Sequence, residues 1–125
     1  MIVGIGCDIF DTVRMKRELG KLGHSLATEI FTAREIAYCK TKRYPEWHLA
    51  ARFAAKEALL KALGSGKQPG FAWTDIEVSS NGDGRPTIEL FGEIKKAARR
   101  LRVKRIFLTM SHDNRWAVAI VVLES

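Results

Sequence analysis

Long hydrophobic runs are missing from this sequence. The stretch from Ala117 to Leu123 is far short of the roughly 20 apolar residues that a membrane-spanning helix needs. Cysteine is scarce: Cys7 and Cys39 are the only two, and they form no CxxC pair. That excludes a disulfide framework and a cysteine-built zinc site. Both are expected as reduced thiols, with Cys7 inert inside an apolar run. There is no P-loop, no dinucleotide-binding glycine fingerprint and no zinc-ligand spacing, so the commoner cradles for a phosphorylated ligand are excluded. Acids are in deficit, 14 against 21 Lys and Arg, for a net charge of +7. The surplus leaves nucleic acid, anionic membranes, phosphorylated cofactors and acidic proteins open as partners. MIVGIGCDIF carries no basic segment before its apolar residues, so it does not read as a secretory signal, and a cytoplasmic location is expected.

What is present suits one domain spanning residues 1–125. Hydrophobic residues make up 46%, enough for a packed core at this length. Residues 2–10 are apolar and β-prone and read as a buried strand. Residues 12–22 read as a short basic helix with Thr12 as its N-cap. Thr32 followed by Glu35 is a capping-box pattern opening a helix to about Lys42. Pro45 interrupts the chain, and the Ala- and Leu-rich segment from Glu46 to Leu63 reads as the longest helix, stopped by Gly64. Residues 75–79 and 87–91 read as strands joined through the turn signal Asn81-Gly-Asp-Gly84. A basic amphipathic helix over 92–102 precedes strands over 105–110 and 116–123, with a tight turn at Asp113-Asn114. This order predicts an α+β fold, an antiparallel or mixed sheet packed on a long central helix, rather than a doubly wound one.

Four constellations carry chemical potential. Asp8 stands within an apolar strand, where an unpaired buried carboxylate costs on the order of several kcal/mol. It is therefore compensated, or it sits at an exposed end, and it reads equally as a turn or N-cap acid and as a metal ligand. Glu57 and Lys61, spaced i, i+4, share one face of the apolar helix, and Arg52 and Lys56 share another. On a helix with so few charges these are site candidates, with a surface ion pair as the bland alternative. Ser111-His112-Asp113-Asn114 lies between the last two strands, as a phosphate-binding loop or a plain polar turn. Three consecutive residues cannot converge as a hydrolytic triad. Asn81 to Pro86 reads as a turn.

Taken in order, these pieces resemble the holo-acyl-carrier-protein synthase family of 4'-phosphopantetheinyl transferases over nearly the whole chain. The matching residues are Gly4-Ile-Gly-Cys-Asp8-Ile, Arg14, Phe31-Thr32 with Glu35, Ala51 to Gly64, Gly84-Arg85-Pro86, and Ser111-His112 followed by Trp116-Ala-Val-Ala. The resemblance implies Mg²⁺-dependent transfer of phosphopantetheine from coenzyme A to a serine of an acidic acyl carrier protein, with release of 3',5'-ADP. It implies Asp8 and Glu57 as metal ligands and Lys61 as a catalytic contact to the phosphates. Arg52, Gly84, Arg85, Pro86, Ser111 and His112 would hold the rest of coenzyme A. Arg14 and Lys21, on a helix that also carries Lys16 and Arg17, would dock the carrier. It further implies a homotrimer with sites between subunits, in which Ser111 and His112 come from the neighbour. The base for the serine is open among Glu35, Glu57 and a metal-bound water, with the water favoured. Two departures stand out: Phe10 occupies a position where some related transferases have an acid, and Thr109 replaces a serine in the Ser-x-Ser-His pattern. A small basic nucleic-acid-binding domain is the alternative reading, although no stacking-aromatic strand motif is present.

Overall fold

The chain runs β1 (Ile2–Asp11), α1 (Thr12–Ile30), α2 (Ala33–Lys40), α3 (Pro45–Leu63), a 3₁₀ turn (Trp73–Asp75), β2 (Ile76–Ser80), β3 (Pro86–Leu90), α4 (Gly92–Arg100), β4 (Arg105–His112) and β5 (Trp116–Glu124). The computed structural model describes residues 1–64, 67 and 69–125, with the side chains of residues 22–24 left aside. None of the expected site residues falls outside these. β1, β5 and β4 form a three-stranded sheet in that order, and β2 and β3 form a separate pair. Every pairing among the described residues is antiparallel. The α+β class expected from the sequence holds.

Local chemistry sets the boundaries of α3. Pro45 occupies its first turn, where a missing N–H is harmless, and Gly64 ends it in the left-handed region at φ 76°. Between them, Ala50, Ala54, Ala55, Ala58 and Leu59 are wholly buried. Small residues let this helix approach β1 closely. A Cβ added at Gly6 would collide with the Ala58 carbonyl oxygen, and one at Gly4 with that of Ala62. Both obstacles are helix backbone and cannot rotate away. Gly6→Ala is therefore expected to destabilise the fold by about 1–3 kcal/mol, read by chemical denaturation. An unchanged midpoint would mean that the two backbones are not in contact.

A buried ion pair holds α2, α3 and β2 together. Lys56 Nζ donates to Glu35 Oε1 at 2.8 Å, to the Ile30 carbonyl at 2.7 Å and to the Trp73 carbonyl at 3.1 Å. Glu35 also accepts from the backbone N–H of Thr32 at 2.9 Å and of Val78 at 2.8 Å. The Thr32–Glu35 capping box is present as expected.

Three expectations change. The N-cap of α1 is Asp11, which accepts from the N–H groups of Val13 and Arg14, while the Thr12 hydroxyl donates to the Asn114 carbonyl at 2.8 Å. That helix continues to Ile30 instead of ending near residue 22, anchored by buried Met15. β1 is an edge strand, not a buried one: Ile5 and Ile9 are 68% and 58% exposed, and only Gly6 is buried. Consequently Cys7 lies exposed, and the buried thiol is Cys39, which burial pushes up to about 11.

Candidate active site

Side chains alternate across a strand, so the even-numbered residues of β1 point toward α3. That direction brings Asp8, from the eighth position of the chain, to Lys61 in the last turn of α3. Lys61 Nζ donates to Asp8 Oδ1 at 3.0 Å and to the Cys7 carbonyl at 3.0 Å. The compensation demanded by a carboxylate in an apolar strand is thus Lys61, and Asp8 is not the N-cap of α1. Glu57 lies one turn earlier on α3. Burial raises its carboxyl above the ordinary value, and the negative charge of Asp8 raises it further, against the opposing pull of Lys67 and Lys61. Lys61 therefore pairs across to the strand rather than with Glu57 along its own helix. Glu57, Leu60, Lys61, Gly64 and Lys67 border an open cavity of about 330 Å³.

Two carboxylates that sense each other could supply two oxygen ligands to a hard cation. Among the described residues no group of three or more His, Cys, Asp or Glu side chains is placed to hold a metal. A cation here would complete its shell with water and ligand oxygens, the habit of Mg²⁺ rather than of zinc or copper. Phe10 contributes nothing to such a shell. It packs edge-on against Phe53, with ring centroids 4.8 Å apart, and lies under the Arg14 guanidinium at 5.1 Å.

A second cavity, of about 220 Å³, is bordered by Tyr38, His48, Ala51, Arg52, Ser80, Gly84, Pro86, Met110 and His112. It shares no bordering residue with the first. Arg52 is 2% exposed, and its Nε has no hydrogen-bond partner. Its guanidinium carbon sits 4.4 Å from the centre of the Tyr38 ring. None of the ion pairs among the described residues includes it. A buried cation outside every ion pair among the described residues could receive an anion.

The expected site residues thus fall into groups. Asp8, Glu57 and Lys61 meet at one place. Arg52, Gly84, Pro86 and His112 meet at another. Arg85 stays in the exposed turn, its N–H bonded to Asn81 and Asp83. Ser111 and His112 are the last residues of β4, not a loop, and strand alternation points them to opposite faces. Only His112 reaches the second cavity; Ser111 faces outward beside Val118. Glu35, one of the candidate bases, is 1% exposed and fully engaged with Lys56 and backbone donors. It is a structural acid. Arg14 and Lys21 are exposed on one face of α1, with Arg17 between them at helical spacing. Tyr38, His48 and Ser80 were not anticipated. His48 had a signal, since it stands four residues before Arg52 and so on the same helix face; Tyr38 and Ser80 had none.

The chain matches the 4'-phosphopantetheinyl transferase superfamily over residues 4–121. It is 44% identical over 124 residues to the holo-[acyl-carrier-protein] synthase of Geobacter sulfurreducens, covering 99% of this chain and 98% of that protein. The crystal structure of the holo-[acyl-carrier-protein] synthase from Neisseria meningitidis superposes with a TM-score of 0.90 at 33% identity, covering 100% of both chains. A holo-(acyl-carrier-protein) synthase from Bacillus anthracis, solved in complex with CoA (3',5'-ADP), gives a TM-score of 0.81 at 35% identity and covers 100% of this chain and 98% of that one.

Proposed function

Because this chain belongs to the 4'-phosphopantetheinyl transferase superfamily and is an enzyme of its holo-acyl-carrier-protein synthase type, we propose that its two cavities bind opposite ends of coenzyme A. Asp8, Glu57 and Lys61 serve the diphosphate end. Arg52, His112 and the Gly84–Pro86 turn serve the nucleotide end. The carrier serine attacks the β-phosphorus, its phosphopantetheine bond forms, and 3',5'-ADP leaves. The observation that carries this reading is the meeting of Asp8 with Lys61, beside a Glu57 that feels the charge of Asp8.

Asp8 and Glu57 would hold Mg²⁺, which when bound neutralises charge on the diphosphate. Lys61, with a side chain 57% exposed, is free to swing from Asp8 to the phosphates. Of the acceptors considered for the serine proton, Glu35 is committed elsewhere, which leaves Glu57 and the favoured metal-bound water. Arg14 and Lys21 offer an exposed cationic face to an acidic carrier.

The cavities share no residue, which suits a homotrimer in which one subunit's Asp8–Glu57 end meets a neighbour's Arg52–His112 end. An antiparallel sheet normally turns polar residues to solvent on its outer face. Here that face presents Ile5, Ile9, Phe107 and Ile120, all exposed, a surface suited to burial between copies. Ser111 lies on the same face. Among the described residues no helix is long and apolar enough to cross a membrane, and a cytoplasmic enzyme acting on neither nucleic acid nor membranes is part of the proposal.

The test is direct. The protein is incubated with coenzyme A, Mg²⁺ and an apo acyl carrier protein, and the carrier is weighed by mass spectrometry. A gain of one phosphopantetheine, lost when EDTA removes the divalent ion and regained with added Mg²⁺, is the expected result. An unmodified carrier rules out the transferase reading, and a full rate in EDTA rules out the metal.

A further inference from the structure

The second cavity is bordered by one arginine, two histidines and a tyrosine among small and apolar residues, with no carboxylate among the described residues of its walls. Arg52 supplies a buried guanidinium with an unused Nε. His48, one turn earlier on α3, packs its ring against His112 of β4, with centroids 4.8 Å apart and planes inclined by 70°. Tyr38 of α2 approaches the His48 ring from another side, at 6.4 Å. We infer that His48 is a further contact residue for the nucleotide phosphate and binds a proton as that phosphate enters. This inference rests on the proposal that the cavity receives the nucleotide end of coenzyme A.

The electrostatics of the empty cavity run in the matching direction. Burial lowers the His48 pKa, and the charges of His112, Arg52 and Lys42 lower it further. These groups come from β4, from α3 and from the segment between α2 and α3, so His48 meets positive charge from each. Tyr38 adds no cation, and Lys42 lies 4.7 Å from its ring centre. Without an anion, these surroundings disfavour the protonated imidazole. A phosphate seated among Arg52, His48 and His112 reverses the sign of the local field. The protonated imidazole then donates to a phosphate oxygen, and its pKa rises. By linkage, the contribution of His48 to nucleotide affinity strengthens as pH falls through the histidine range, and His48 takes up at most one proton on binding, over and above the titration of the phosphate itself.

The experiment uses 3',5'-ADP as the probe. Calorimetric titrations from pH 5.5 to 8, in buffers of different ionisation enthalpy, give both affinity and proton uptake for the wild type and for His48→Phe. Phenylalanine keeps the ring packing against His112 and Tyr38. The expected result is proton uptake near pH 6.5 that is larger for the wild type than for His48→Phe, with binding by the variant about threefold weaker at pH 6, the effect there of a one-unit rise in the pKa of one group that titrates in that range. Binding at pH 8 should differ little between the two. The His48 ring-proton NMR titration should also shift to higher pH when 3',5'-ADP is added to the wild type. If His48→Phe binds with the same proton uptake as wild type, or the His48 titration is unmoved by the nucleotide, the inference is overturned while the nucleotide site stands. If the wild type binds no 3',5'-ADP at any pH, the site itself is overturned, and this inference with it.

Discussion

Asp8→Ala and Glu57→Ala are each expected to lower phosphopantetheine transfer by about 10²–10³-fold, the range found when one preorganised electrostatic contact to a reacting charge is removed. Neither change should unfold the protein. Asp8→Ala releases Lys61, whose side chain is already 57% exposed and finds water in place of the carboxylate. Glu57→Ala removes a carboxylate that the fold disfavours. Its pKa stands above the ordinary 4.5 because of burial first and Asp8 second. A raised folded-state pKa contributes stability that is complete below the unfolded value and lost as pH climbs through the folded one. At neutral pH, without a divalent ion, Glu57→Gln should therefore melt above the wild type, and the gap should close in acid below about pH 4.5. Asp8→Asn has no such advantage, because Lys61 already compensates its charge. The combination of lost turnover and gained thermal stability at one position separates a site carboxylate from a structural one. Near-normal rates in either alanine variant would remove that residue from the active site.

Lys56→Ala is expected to have the opposite profile: a loss of about 3–5 kcal/mol of stability, the range for breaking a buried pair from one side. Lys56 and Glu35 are both fully buried side chains. Without Lys56, Glu35 keeps its backbone donors from Thr32 and Val78 but faces the core with an unbalanced charge. The carbonyls of Ile30 and Trp73 lose their donor as well. Burial lowers the Lys56 pKa while the Glu35 charge holds it up, so the ammonium depends on its partner. The double change Lys56→Met with Glu35→Gln removes both charges and should recover a large part of the loss, since an apolar replacement of a buried pair is often close to neutral. Urea denaturation of the two single variants and the double variant measures the coupling. Additive single effects would show that the two residues do not act as a pair.

Lys56 and Glu57 are neighbours in the chain, and their different fates show how much could be read without coordinates. Sequence reasoning singled out both as unusual charges on an apolar helix. Only the packing tells that Lys56 points inward to α2 while Glu57, about 100° around the helix, borders a cavity and feels the charge of Asp8. The bounds of α3 were legible because Pro45 and Gly64 act locally. The capping box at Thr32 was legible for the same reason. Glu35 was read correctly as a capping acid, but its partners Lys56 and Val78 lie 21 and 43 residues away, and no local pattern announces them. β1 was misread as buried because its apolar residues occupy both faces. An isolated chain leaves the outer face open, and an alternation argument cannot tell whether another molecule covers it. Ser111 and His112 were treated as one phosphate-binding unit because both were assigned to a loop. Extending β4 by two residues sends them to opposite sides of the sheet. His48 was legible in principle from its i, i+4 relation to Arg52, but an aromatic residue on an apolar helix suits core packing equally well.

The proposed chemistry needs one divalent ion held by Asp8 and Glu57 at the diphosphate of coenzyme A. Crystals grown with coenzyme A and Mn²⁺ in place of Mg²⁺, with data collected at the manganese absorption edge, test it most directly. The account predicts one anomalous peak per active site, bonded to a carboxylate oxygen of Asp8, a carboxylate oxygen of Glu57 and a diphosphate oxygen. Ordered coenzyme A with no such peak, or with manganese bound away from these two carboxylates, would contradict it.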